Sequence, residues 1–446
     1  MQVKEGHPKG LYLCFSVEMW ERFSFYGMRA LLVLFMVKYL AFDTEKAGKI
    51  YGWYLGLVYL APLVGGYISD RYWGQNRSII FGGIVMAIGQ FLLAGVAFMS
   101  PEMINTQFMW MYYMSLLVII IGCGFIKANI STAVSSLYER NDPRRDSAYT
   151  IFYMGINLGA FLAPLLCGTL GEKVGWGWGF FSAGALMLIG VINYTIYNKK
   201  LLPECVFHPA GAKKRAADGT LIAHEPLTKE EKERLYVIFI MSFFMIFFWM
   251  AYEQAGSSLT LFTDRSTDRW IHLGSWNWEV PTTLFQSLNP IFIFILAPFF
   301  SKLWVGLAKK NIEPSTPIKF VWGLALLCLG FVVMYYTASL VSAGSKVNML
   351  FIAAVYMLHT LGELCMSPVG LSLVTKLSPL RFASLMMGVW FFATFIGNLT
   401  AGLYAGQYDK MTLTQFFGVI VVATAAGSVI LLVAARYIRK WMHGIH

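Results

Sequence analysis

The chain has 446 residues, of which 57% are hydrophobic and only 13% charged, with a formal net charge of +11. Its apolar runs repeatedly reach the roughly 20 residues that cross a bilayer as helix, which excludes a soluble globular enzyme and reads as an all-α polytopic membrane protein. Basic loops on the inner side account for the positive excess, so it implies no nucleic-acid partner.

Twelve spans are expected, near residues 11–40, 49–69, 78–100, 107–137, 147–170, 178–198, 236–262, 281–301, 318–341, 348–375, 382–406 and 412–435. The first is the most informative: LYLCFSVEMWERFSFYGMRALLVLFM places Glu18, Glu21, Arg22 and Arg29 at bilayer depth. Each such charge costs roughly 2.5–3.5 kcal/mol on insertion scales, so these residues face a bundle interior or a wet cavity and mark an ion or substrate path. At helical spacing the four project within an arc of roughly 100°, and Glu18 and Arg22 stand i,i+4, the favoured order for an ion pair. Lys38, at the exit of the span, reads as a snorkelling interface residue. The polar start MQVKEGHPKG leads into a charge-interrupted helix, not a removable signal peptide.

The second span carries Tyr59 and ends in GGYISDRYWGQNR. The fourth holds Lys127 in GFIKANIST, with no acid within three or four residues, and the fifth holds Asn157 in FYMGINLGA. A polar, basic stretch from Asn198 to about Arg234 then divides the chain into an N-terminal bundle (1–199), a linker (200–234) and a C-terminal bundle (235–446). The linker is too polar to supply extra spans. In the second half the seventh span holds Trp249, Glu253 and Gln254, the eighth Asn289, the tenth Glu363 and the eleventh Trp390. Glu253 and Glu363 have no base nearby in sequence, so each must look across the bundle. Two acids in one half facing cations in the other is an arrangement for a zwitterion.

With the N-terminus inside, the cytoplasmic segments hold about 24 Lys and Arg and the outer loops about 8, which puts both termini in the cytoplasm. The six cysteines are scattered without ligand spacing and are expected to pack in the core. His359, one turn before Glu363, is expected to be a buried, hydrogen-bonded core histidine. The remaining histidines lie in tails or loops, and no metal site is expected.

These residues carry a family resemblance. Glu18, Glu21, Arg22 and Phe23 (ExxERF), followed by Tyr26, Gly27 and Arg29, resemble the first-helix motif of the proton-coupled oligopeptide transporter family. FYMGINLGA (Phe152 to Ala160) resembles its second signature. Gly65, Gly66, Asp70, Arg71, Gly74 and Arg77 fall in a facilitator-like G-x-x-x-D-R-x-x-G-x-x-R pattern, and the linker between equal halves fits the major facilitator plan. Supporting matches surround Tyr59, Lys127, Trp249, Asn289, Glu363 and Trp390.

The resemblance implies a major facilitator fold of two six-helix bundles and proton-coupled import of di- and tripeptides across the plasma (inner) membrane. Arg29 and Lys127 would receive the peptide carboxylate and Glu363 the amine. Asn157 and Asn289 would bond the peptide ends, and Tyr26, Tyr59, Trp249 and Trp390 would wall the side-chain pockets. Glu18, Glu21, Arg22 and Glu253 would couple protons, with Glu253 pairing with Arg29 in one state. No cofactor is implied beyond the proton gradient, and no obligate protein partner. Two departures stand out. Phe25 replaces a second tyrosine found in many relatives, and the two extra helices many bacterial members carry between halves are absent, giving twelve helices and not fourteen. A transporter of another small anion or zwitterion, such as nitrate, and a peptide sensor are the alternatives. An enzyme is not expected, since GxSxG, HExxH and Cys/His dyads are missing.

Overall fold

The computed structural model describes residues 6–139, 142, 144–209, 227–310, 312–342, 344–379 and 382–444. Residues 210–226 of the expected linker lie outside that set; its described part holds one short 3-10 turn, Glu204–Phe207, between the end of a helix at Leu201 and the start of another at Lys229. Among the described residues there are twelve helical spans. The first six are Lys9–Leu34, Thr44–Ile68, Gln75–Phe98, Pro101–Ser136, Ser147–Lys173 and Trp176–Leu201. The last six are Lys229–Ser266, Leu288–Lys309, Thr316–Ser342, Met349–Leu377, Ala383–Ala405 and Leu413–Trp441.

Ten of these are long and apolar enough to cross a membrane on composition alone. The first two are not. Glu18, Glu21, Arg22 and Arg29 spoil the first, and Gly, Tyr, Trp and Pro62 dilute the second. Their buried faces are specified by interior contacts, not by lipid, so a hydropathy window undervalues them.

The chain packs as two compact units. One is drawn from Met1–Phe35, Tyr39–Ala41 and Leu57–Ala223, the other from Met36–Lys38, Phe42–Gly56 and His224–His446. In the first, the first helix packs on the fifth and sixth, and the third lies against the fourth and sixth. Small residues make this possible: a Cβ added at Gly159 would stand 2.2 Å from the Met19 carbonyl oxygen, and one at Gly65 2.2 Å from that of Gly124. At such crossings only glycine fits, and backbone contact takes the place of side-chain packing.

In the second unit the ninth helix packs on the tenth and twelfth, and the eleventh on the seventh. The seventh is broken, where the sequence pattern indicates a continuous span. It stops at Tyr252, makes a 3-10 turn over Glu253–Gly256, and restarts at Ser258 after Ser257 departs from helical geometry. No proline causes this. Side chains take up the freed backbone instead: Thr260 Oγ1 donates to the Ala255 carbonyl at 2.8 Å, and Gln254 Nε2 to those of Met250 and Ala401, both at 3.1 Å. Beyond it lies a hairpin of Trp270–Leu273 paired antiparallel with Trp276–Glu279, and a parallel pair of Thr267–Asp268 with Val347–Asn348.

Candidate functional site

In the first unit, Glu18, Glu21 and Arg22 share the buried face of the first helix, 2%, 1% and 5% exposed. The expected i,i+4 pair forms: Arg22 Nε donates to Glu18 Oε1 at 2.7 Å and stands 2.8 Å from Glu21 Oε2. One guanidinium thus serves two carboxylates, while Glu18 Oε2 is buried and accepts no hydrogen bond.

Lys127, from the fourth helix, lies within electrostatic reach of Glu21 and Arg22. Its ammonium is buried, donates to no acceptor, and sits 3.7 Å from the ring centroid of Tyr59 and 5.5 Å from that of Phe25. Aromatic faces attract a cation by about 1–2 kcal/mol but supply none of its three hydrogen bonds. Lys127 is therefore a donor with unspent capacity. Phe25, 1% exposed, packs its ring at 5.1 Å against Tyr26 and turns it towards the lysine. Arg29 is 7% exposed, with its guanidinium carbon 5.6 Å from the Tyr26 ring centroid. Asn157 uses its amide NH₂ on the Tyr153 carbonyl of its own helix, at 3.0 Å.

In the second unit, Glu363 Oε2 accepts a 2.6 Å hydrogen bond from Tyr252 and a 2.8 Å bond from Asn289 Nδ2. Asn289 Nδ2 also reaches Thr360 Oγ1 at 3.0 Å. The tenth-helix acid is thus aimed by the seventh and eighth helices. Tyr252 and Thr360 are absent from the sequence reading, although Tyr252 directly precedes Glu253 in WMAYEQ. Glu253 is 2% exposed, in the 3-10 turn of the broken helix. Trp249 stands edge-on to Tyr252 at 5.4 Å with a buried indole N–H lacking a partner. Trp390 is 3% exposed and packs edge-on to Phe320 at 6.3 Å.

Each unit therefore gathers its own predicted residues: the Glu18–Glu21–Arg22–Lys127 cluster and the Arg29–Tyr26 stack in one, Glu363 with Asn289 in the other. His359 is buried as expected, against Phe331 at 4.7 Å, but its Nε2 lacks the hydrogen bond that expectation included. Among the described residues no group of three or more His, Cys, Asp or Glu is placed to hold a metal ion.

The profile of the POT family, PTR2, matches residues 76–201 and 213–441. The chain is 35% identical to the peptide transporter YePEPT of Yersinia enterocolitica, over 97% of this chain and 95% of that one. It is 29% identical to a di-/tripeptide transporter of Lactococcus lactis, over 98% and 97%. A solved structure of the peptide transporter POT in complex with sulfate superposes with a TM-score of 0.88, at 31% identity, covering 99% of this chain and 97% of that one. The family resemblance and the all-α, twelve-helix facilitator fold read from the sequence are both borne out.

Proposed function

The chain belongs to the POT family, whose members are multi-pass membrane transporters and not enzymes, and on that premise we propose that it imports di- and tripeptides together with protons. The observation that carries this reading is the state of Glu363. Two hydrogen bonds converge on one of its oxygens, at 2.6 and 2.8 Å, fixing the orientation of a carboxylate whose charge suits an ammonium group. A transporter of a simple anion such as nitrate has no use for such a group. A zwitterion does, and Arg29 and Lys127 in the other unit supply the opposite pole.

In this reading Arg29 offers a planar fork to the peptide carboxylate and Lys127 a point charge. Asn157 and Asn289 contribute amide hydrogen bonds to the peptide ends. Tyr26, Tyr59, Trp249 and Trp390 accept varied side chains with little directional demand. Protons bind at the Glu18–Glu21–Arg22 cluster and at Glu253. Neutralising Glu21 leaves Arg22 and Lys127 with excess positive charge, which favours an incoming carboxylate, and Glu253 exchanges with the peptide for Arg29. Both termini lie in the cytoplasm, consistent with the Lys and Arg distribution. An added extended residue lengthens a peptide by about 3.5 Å, so tripeptides need a changed pose or a bridging water.

Proteoliposomes under an imposed pH gradient test the whole reading. Dipeptides and tripeptides should each drive proton uptake and accumulate intact. Binding without accumulation would make the protein a sensor, and accumulation of nitrate but not peptide would overturn the zwitterion assignment.

A further inference from the structure

At one end of the second unit the helices enclose a cavity of about 610 Å³ that the transport reading does not use. It lies where the eighth helix ends, the ninth begins, and the tenth and twelfth end. Three cations line it, Lys319, Lys376 and Arg439, against a single carboxylate, Glu313. Among the described lining residues, three positive charges less one negative leave an excess of two. Ser315 and Thr316, at the start of the 27-residue ninth helix, also line it, so the positive end of that helix adds to the same field.

Lys319 marks this as more than a basic surface. It is 8% exposed, ion-paired to Glu313, and its ammonium lies 4.7 Å from the Trp304 ring centroid. A lysine that is nine-tenths buried is rarely placed at a helix end for solubility alone. Apart from Ser372, the remaining wall is apolar, including Val369, Leu373, Leu377 and Met442. Cations beside an apolar wall, at the end of membrane-spanning helices, match a group that joins an anionic head to an apolar body. Basic pockets between transmembrane helices are the usual seats of anionic headgroups.

We propose that this cavity binds a phosphate-bearing anion, with Lys319, Lys376 and Arg439 as its cationic contacts and Lys319 also paired to Glu313. The phosphate can come from an anionic phospholipid or from solution, and the two sources separate by experiment. Native mass spectrometry of the full-length protein, titrated with phosphatidylglycerol or phosphatidylcholine, reads the first. A melting-temperature titration with inorganic phosphate alone, in detergent, reads the second.

For the lipid source, one phosphatidylglycerol adduct should persist where phosphatidylcholine does not. Each lost cation should weaken it about fivefold, so the double variant Lys376→Ala/Arg439→Ala should lose roughly 30-fold. Glu313→Gln, which removes the competing carboxylate from Lys319, should tighten it. Lys199→Ala/Lys200→Ala alters the net charge equally but outside the cavity, and should change nothing. The conservative Lys376→Arg/Arg439→Lys should keep the adduct and shows whether loss reflects folding. If inorganic phosphate protects the wild type and not the double alanine variant, without any phosphatidylglycerol preference, the site takes a soluble anion. The proposal is overturned if neither phosphatidylglycerol nor phosphate binds, or if the two double alanine variants behave alike.

Discussion

Tyr252→Phe removes one hydroxyl and leaves the ring where it stacks on Phe248 at 5.5 Å and meets Trp249 at 5.4 Å. The lost contact is the 2.6 Å bond to Glu363 Oε2. A hydrogen bond to a charged group is worth about 1.5–3 kcal/mol, which converts to roughly 10- to 150-fold in an equilibrium constant. Asn289 still donates to the same oxygen at 2.8 Å, so the carboxylate is loosened and not abandoned, and the effect should fall near the low end, about tenfold. The assay is competition against a labelled dipeptide in proteoliposomes, run with a free dipeptide and with its N-acetylated form. The free dipeptide should lose about tenfold in affinity. The acetylated form has no ammonium for Glu363, so it should bind weakly to begin with and lose almost nothing. Glu363→Gln should lower the free dipeptide further, and adding Tyr252→Phe to it should then cost little, because the two act through one contact. Equal losses for both peptides, or a silent Tyr252→Phe beside a damaging Glu363→Gln, would refute the amine-binding assignment.

Other outcomes follow from the same geometry. Glu253→Gln should abolish gradient-driven uptake while sparing counterflow of peptide between loaded liposomes; intact driven uptake would remove Glu253 from the coupling. Tyr59→Leu should destabilise the first unit by about 1–2 kcal/mol through the lost cation–π contact with Lys127, whereas Tyr59→Phe keeps the ring face and should melt near wild type. Gly65→Val places side-chain atoms where a Cβ alone would stand 2.2 Å from the Gly124 carbonyl oxygen, so folded yield and detergent melting temperature should both drop. Asp142, between the fourth and fifth spans, is drawn down to about 2 by its hydrogen bonds with Arg144. Its folded pKa lies below the ordinary aspartate value, so its contribution is complete above about pH 4 and is lost only as pH falls towards about 2. Asp142→Asn should therefore leave the pH profile of uptake between pH 5 and 8 unmoved.

The charged first helix was legible because its cost is local. Four ionisable residues on one face cannot meet lipid, whatever surrounds them, and the Glu18–Arg22 spacing already fixes which acid the guanidinium reaches first. The sharing of Arg22 with Glu21 was not legible from spacing, since i,i+1 side chains diverge on an ideal helix. The break in the seventh helix was hidden for a different reason. Helix breaks are usually read from proline or paired glycines, but here Gln254, Ser257, Ser258 and Thr260 make the alternative hydrogen bonds, and those residues are unremarkable in a list. The role of Tyr252 is not legible because its ring fits an apolar stripe, and only the approach of the tenth helix turns its hydroxyl into a partner for Glu363.

Lys127 joins these strands. The sequence marks it only as a cation without a local acid, which admits a structural partner in another helix. Its nearest surroundings include the rings of Tyr59 and Phe25, at 3.7 and 5.5 Å, with Glu21 and Arg22 within electrostatic reach. Aromatic walls hold the charge in place without consuming its N–H donors, so the cost of burying it is only partly met. If that residual cost is recovered when a carboxylate arrives, Lys127→Met should do two opposite things. It should leave the empty protein as stable or more so, because an apolar side chain suits the aromatic cage, and it should abolish the stabilisation that added dipeptide gives to the wild type. Melting curves with and without dipeptide separate these effects. A variant that melts earlier than wild type without peptide would show that Lys127 is held by a structural partner and is not reserved for substrate.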